Sequence, residues 1–216
     1  MEEKIDHQKA DLRDRDIREP LFAFLEDTYG RIRILEEKMM GRSRADVIMV
    51  LPDALAGIEI KSDADSYARL GRQVKDYDAY FDYNFVVVGT SHAQHIEDHV
   101  PEHWGIITVE AAPDFYILRK ARRNPKDVLR NKLTFLWRPE LNRLLEANWL
   151  PAYKGKSKDF VRRALLAEVT EDDLHTQISE TLFERDYTTI AEEINAFRAE
   201  HGRKPRRKRK HPRKRK

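Results

Sequence analysis

Residues Arg44-Ala45-Asp46-Val47-Ile48-Met49-Val50-Leu51 and Leu55-Ala56-Gly57-Ile58-Glu59-Ile60-Lys61 are two largely apolar runs joined by Pro52-Asp53-Ala54. Short runs of this kind, split by a turn-forming triplet, predict two strands of an antiparallel hairpin. Three charges interrupt the apolar pattern: Asp46 early in the first run, Glu59 and Lys61 at the end of the second. Side chains two apart on a strand share a face. Glu59 and Lys61 therefore project together, and Ile58 and Ile60 project the other way. The hairpin places Asp46 on the neighbouring strand, in a register free by a residue or two.

Outward from the hairpin, Arg31–Glu36 gives a preceding strand. A helix over 14–27 comes before it, with Ile17, Leu21, Phe24 and Leu25 at helical spacing. Asp14 or Asp16 can cap that helix, and with Asp16 as the cap Pro20 falls in the first turn. Downstream, Leu70, Val74, Tyr77 and Phe81 form one stripe of a helix over 66–81. Phe85–Gly89 is continuously apolar, as in a strand buried in the middle of a mixed sheet. A short helix near 92–98, a strand over 104–109 and a further strand at 115–118 complete an α/β layered core, taken as residues 1–124. From Pro125 the apolar spacing is helical throughout. Segments over 158–167, 171–183 and 188–200 follow, the last capped by Thr188 or Thr189. Residues 125–200 read as a helical extension, and Ser157–Phe183 as a packing layer rather than a DNA-reading helix pair. Residues 201–216 are low in complexity and basic, and are expected to be disordered.

The chain has 216 residues and a formal charge of +3, from 41 Lys+Arg against 38 Asp+Glu. That near balance conceals an asymmetry. From Arg203 to Lys216 there are 11 Lys/Arg and no acid, and taking those 11 away leaves 30 basic against 38 acidic residues, a formal −8. An acidic body carries a basic tail, within which Arg206, Arg207, Lys208, Arg209 and Lys210 form an uninterrupted polycation. Such a tail binds phosphate backbones without sequence preference. There is no cysteine, which excludes disulfides, thiolate metal sites and cysteine nucleophiles. No apolar run reaches the roughly 18 residues that span a bilayer, and no signal-peptide segment opens the chain. A cytoplasmic protein with no membrane partner is expected. Walker, Gly-x-Ser-x-Gly and His-Glu-x-x-His motifs are absent.

Two carboxylates and an ammonium on one strand pair suit a hard cation. Mg²⁺ is commonly held by one or two carboxylates plus water and substrate phosphates. Asp46 and Glu59, with the Ile60 carbonyl, form a candidate ligand set for Mg²⁺ or Mn²⁺. Lys61 is placed to serve an attacking water or to balance developing charge. A lone Glu-x-Lys is usually a solvated pair. The spacing Asp-x12-Glu-x-Lys across a strand–turn–strand, with a helix before and after, favours a site. His92, His95, His99 and His103 are read as the solvated side of a short helix and the loop after it.

Asp46…Glu59-Ile60-Lys61 resembles the PD-(D/E)xK signature of the restriction-endonuclease-like nucleases, and the element order is similar to their αβββαβ core. Glu59-Ile60-Lys61-Ser62-Asp63, followed by Asp65, Leu70 and Gln73, looks like the hallmark of a small bacterial subfamily. Phe81-Asp82, Val86–Gly89, Val100–Gly105 and Leu136-Trp137-Arg138 also look like that subfamily. A looser similarity links the chain to MmcB-like DNA repair proteins. The resemblance covers roughly residues 12–187, and Ala45 stands where the family has proline. It implies an α/β fold with a mixed central sheet, and a Mg²⁺-dependent deoxyribonuclease leaving a 5′-phosphate and a 3′-hydroxyl. It also implies an accessory acid ahead of Asp46, with Glu36 the best match and Glu37 the fallback. Gln73 and Tyr77, one turn apart, are similar to the Gln-x3-Tyr of RecB-type nucleases, which supports the site and touches DNA. Arg69 and Arg72 on the same helix are candidate phosphate contacts. DNA is the expected partner, with RNA also admitted. A homodimer or a helicase/ATPase partner fits the same chemistry. The rival function is a nucleic-acid-binding adaptor that uses the same fold and tail without catalysis.

Overall fold

The computed structural model describes residues 13–62, 65–110, 114–126 and 128–200. Helix α1 (Asp14–Tyr29) leads into strands β1 (Arg33–Met40), β2 (Ser43–Val50) and β3 (Leu55–Lys61). Helix α2 (Leu70–Asp78) follows a 3₁₀ turn at Tyr67–Arg69, then come β4 (Tyr83–Gly89), α3 (Thr90–Ala93), β5 (Gly105–Val109) and β6 (Phe115–Arg119). The remainder is helical: α4 (Leu129–Lys132), α5 (Arg138–Ala147), α6 (Lys158–Glu168), α7 (Glu171–Phe183) and α8 (Tyr187–Glu200). The expected αβββαβ order is present.

The six strands lie in the order β1-β2-β3-β4-β5-β6. The first three pair antiparallel, β3, β4 and β5 pair parallel, and β6 returns antiparallel. The sheet is mixed, and its middle strands are buried on both faces. This is why β3 and the Val86-Val87-Val88 run of β4 show no alternation of polar and apolar residues.

Each face has its own cover. Ile17, Leu21 and Leu25 of α1 pack on Val47, Met49, Ala56, Ile58 and Ile60. On the opposite face, Leu70, Tyr77 and Phe81 meet Ile48, Val50 and Leu55, together with Leu133, Leu141, Leu144, Val161, Leu165, Leu174 and Ile178 of the helical region. The helices beyond residue 125 thus share the core of the sheet, each fully buried Leu or Ile contributing about 1.5–3 kcal/mol. A buried Arg185–Glu140 pair at 2.6 Å and two hydrogen bonds from Arg33 to the Phe183 and Arg185 carbonyls fasten α5 and the end of α7 to β1.

Several sequence-based boundaries move. Strand β1 runs to Met40 rather than Glu36, because the chain turns only at Gly41, whose φ is +55°. The helix expected over 66–81 is shorter, its first turn being 3₁₀. Pro20 lies inside α1, not in its first turn: the helix begins earlier, with the Arg13 N–H donating to the Asp16 carboxylate. The expected helix at 92–98 is two separate turns. Asp186 caps α8 in place of Thr188 or Thr189, accepting from the Thr188 N–H at 2.8 Å. The tail, with Arg206, Arg207, Lys208, Arg209 and Lys210, lies outside the described residues, as does Asp63. Among the described residues no helix is long and apolar enough to cross a membrane.

Candidate active site

Strands β2 and β3 pair from Val50–Leu55 to Val47–Ile58 and then part. At the fork the Asp46 carboxylate takes the place of a backbone acceptor: its Oδ2 receives the Ile60 N–H at 3.0 Å. One register step on, Asp46 faces Glu59 across the opening. The two carboxylates line one polar cleft of about 380 Å³ with Lys61 and Gln73. An apolar cleft of about 350 Å³ lined by Tyr29, Met49, Tyr83, Phe85 and Ile117 holds no carboxylate.

Glu59 is 1 % exposed and Lys61 7 %. A buried carboxylate persists only when its oxygens are satisfied. Glu59 Oε1 accepts from Lys61 Nζ and from Gln73 Nε2, both at 2.5 Å, and the Gln73 carbonyl oxygen accepts from Lys61 Nζ at 3.1 Å. The Tyr77 hydroxyl lies 2.9 Å from Glu59 Oε2 and 3.0 Å from the Ile58 carbonyl, and it accepts the Asp46 N–H at 3.3 Å. Its single proton serves one of the two acceptors at a time. Gly57 makes this approach sterically feasible. A Cβ there would stand 2.2 Å from the Phe81 ring and 2.6 Å from Tyr77.

Burial, and after it the charge of Glu59, push the Asp46 carboxyl up to about 7, against the Ile60 N–H and Arg18, which lower it. Arg18 is the cation nearest this acid. It bonds Asp14 at 2.8 Å, Glu36 at 3.2 Å, Glu37 at 2.9 Å and the Asp46 carbonyl at 3.3 Å, and lies 3.8 Å from Asp46 Oδ1. Burial opposes its charge, but Asp14, Asp46 and Glu37 outweigh that and raise its pKa.

The fold therefore brings Asp46, Glu59, Ile60, Lys61 and Gln73 together. Arg69 and Arg72 are exposed and line the same cleft. Tyr77 departs from expectation: it is fully buried and cannot touch DNA, its hydroxyl being occupied inside the site. The accessory acid also shifts. Glu36 meets Arg18 but does not line the cleft, whereas Glu37 does. A left-handed backbone at Glu37, φ +55°, turns it to Arg18 and to Arg44 at 2.6 Å. Arg18, Arg42 and Arg44 also line the cleft, and sequence reasoning does not single them out. The Asp14-x3-Arg18 spacing is a visible sign of an i,i+4 pair, but its place over β2 depends on how α1 docks. Of the four histidines, His95 and His99 are exposed, as expected of a solvated side, while His92 and His99 also pack on Tyr67 and His103 bonds Asp78 at 3.0 Å.

Among the described residues no cluster of three or more His, Cys, Asp or Glu is arranged to hold a metal. The cleft instead offers the Asp46 and Glu59 carboxylates, with Ile60 beside them, and room for water. That set fits Mg²⁺, which typically keeps several waters. The Asp46 carboxyl is raised first by burial and second by the charge of Glu59, an effect that Arg18 only partly offsets.

No curated protein matches the sequence. Two solved structures are distant neighbours. The SPO1766 protein of unknown function from Silicibacter pomeroyi is 19 % identical, covering 89 % of this chain and 96 % of that one, with a TM-score of 0.43. SfsA of Pyrococcus furiosus, in complex with Ca²⁺, is 14 % identical, covering 47 % of this chain and 59 % of its own, with a TM-score of 0.29. The family model described as bacteriophage P4 protein cII matches residues 8–204. The chain belongs to the bacteriophage P4 protein cII family.

Proposed function

We propose that this protein is a divalent-metal-dependent nuclease that hydrolyses phosphodiester bonds of DNA, with a site of the PD-(D/E)xK kind. The observation that carries this is the fork between β2 and β3, where Asp46 and Glu59 face each other beside Lys61. Asp46, Glu59 and the Ile60 carbonyl would hold the cation, Mg²⁺ or Mn²⁺. When bound, the ion supplies Lewis-acid stabilisation of phosphoryl charge and a lowered pKa for an attacking water.

The protein's own groups do the rest. Gln73 and Tyr77 fix the Glu59 carboxylate by hydrogen bonds at 2.5 and 2.9 Å. The Lys61 ammonium, held by Glu59 and Gln73, keeps a third N–H for the cleft, where it orients the water or meets the phosphoryl oxygen. Arg18 holds Asp46 and Glu37 in place. Arg42, Arg69 and Arg72 are exposed along the cleft and suit phosphates on either side of the scissile bond.

The test is a cleavage assay with Mg²⁺ or Mn²⁺ on circular, linear and single-stranded DNA and on RNA. Glu59→Gln and Lys61→Ala are expected to lower the rate by about 10²–10⁴-fold with unchanged circular dichroism. Undiminished cleavage by Glu59→Gln removes the mechanism. Binding without cleavage on every substrate favours the adaptor instead.

A further inference from the structure

Helix α5 ends in a motif that asks for glycine and receives tryptophan. The Leu150 N–H bonds the Leu145 carbonyl at 2.9 Å and the Trp149 N–H bonds the Glu146 carbonyl at 3.1 Å. This is a Schellman closure with Trp149 as the residue after the cap, in the left-handed region at φ +57°. Glycine takes that conformation without a Cβ penalty; tryptophan does not. Nor does Trp149 recover the cost by burial, since its side chain is 96 % exposed. Trp104 is fully buried, and Trp137 packs edge-on to Tyr187 beneath the Arg185 guanidinium. Neither stability nor solubility accounts for an indole held in water on a disfavoured backbone.

The surrounding loop is fastened down. Arg138 donates to the Lys156 carbonyl at 2.6 Å and to the Tyr153 carbonyl at 3.1 Å, Asn148 is bonded to Gln177, and Tyr153 packs edge-on to Phe160. The indole is thus presented from a fixed base. From Asn148 to Lys158 there are three lysines, Lys154, Lys156 and Lys158, and no acid, on a body whose formal charge without the tail is −8. All three are exposed. A flat π surface beside a local positive charge is the arrangement that unpaired bases and their phosphates recognise.

We propose that the 148–158 loop is a binding site for an unpaired nucleic-acid strand, with a base stacked on Trp149 and phosphates met by Lys154 and Lys156. This deepens the nuclease reading by naming unpaired strand as a bound form, and rests on nucleic acid being the ligand.

The experiment titrates the full chain, in EDTA to prevent turnover, with oligothymidylate, oligouridylate and a blunt duplex of equal length. Indole emission and affinity are recorded for wild type, Trp149→Phe and Trp149→Gly. Unpaired strands are expected to quench the wild type, with the two oligomers showing whether DNA or RNA is preferred. Quenching is lost in both Trp149 variants. Affinity for unpaired strand falls about tenfold in Trp149→Gly, less in Trp149→Phe, and duplex affinity is unchanged. Trp149→Gly also melts at or above the wild-type temperature, so weaker binding cannot be ascribed to unfolding. Equal affinity of Trp149→Gly and wild type for unpaired strand overturns the proposal and leaves Trp149 to a protein contact, as does equal quenching by duplex. Quenching without metal-dependent cleavage removes the nuclease reading alone.

Discussion

Asp46 is where the chemistry of this fold is most exposed to test. Its carboxyl is pushed up to about 7 from an ordinary 3.8, by burial first and Glu59 second. The folded chain therefore binds this proton more tightly than the unfolded chain. The stability it contributes is full below about pH 3.8 and is lost as the pH climbs through about 7. At pH 8 and without divalent metal, Asp46→Asn removes that cost. Thermal melts should place the variant at least about 2–4 °C above wild type, the shift expected for each kcal/mol in a chain this size, with the gap narrowing toward pH 5. A variant that melts lower at pH 8 would mean that the acid is well solvated and does not confront Glu59. The spacing Asp-x12-Glu-x-Lys makes this trio legible from sequence, because strand periodicity is short and local. The true neighbours of Asp46 are less legible. Arg18 and the turned Glu37 depend on helix docking and on one left-handed backbone angle, neither of which the residue pattern encodes.

At the scale of elements, the hairpin and α2 build the site together. Gly57 lets the Tyr77 and Phe81 rings lie directly on β3, and Tyr77 in turn holds Glu59. A methyl at position 57 meets ring carbons of two buried aromatics, so Gly57→Ala is expected to cost about 1–3 kcal/mol by overpacking. It should also displace the Tyr77 hydroxyl, reducing cleavage more than the lower stability alone would at a temperature where the variant remains folded. Urea unfolding and a cleavage assay at that temperature check both effects. Glycine in a strand interior signals a close approach, and the Leu70–Phe81 stripe names the helix, so this contact is half visible in the residue pattern. The buried network at the other end of β3 is not. Lys132, fully buried, bonds Asp82 at 2.6 Å and His175 Nδ1 at 2.7 Å. Burial lowers the pKa of both Lys132 and His175. These three residues come from distant parts of the chain, and only the packing of α4 and α7 against the sheet brings them together.

For the whole molecule, charge is divided between an acidic body and the cationic stretch beyond residue 202. Removing residues 203–216 takes the formal charge from +3 to −8. If the tail neutralises about five phosphates, its removal should flatten the slope of log affinity against log salt on duplex DNA by about 4–5, at roughly 0.9 per phosphate. Metal-dependent cleavage at low salt should survive the truncation, because every side chain of the cleft lies in the body. Nitrocellulose binding across a salt series, run beside the cleavage assay, separates affinity from chemistry. The α/β class, the antiparallel opening and the helical end are all legible in the sequence, since each follows from periodicity over five or more residues. Element ends are not, because they are decided by single hydrogen bonds formed across the fold.

Whether Asp46 and Glu59 share one cation is measured directly by calorimetric titration of Mn²⁺ into wild type, Asp46→Asn, Glu59→Gln and Lys61→Ala. A saturable heat of binding in wild type and Lys61→Ala, abolished in both carboxylate variants, is the predicted result. Undiminished Mn²⁺ binding by Glu59→Gln, or none by the wild type, would contradict it.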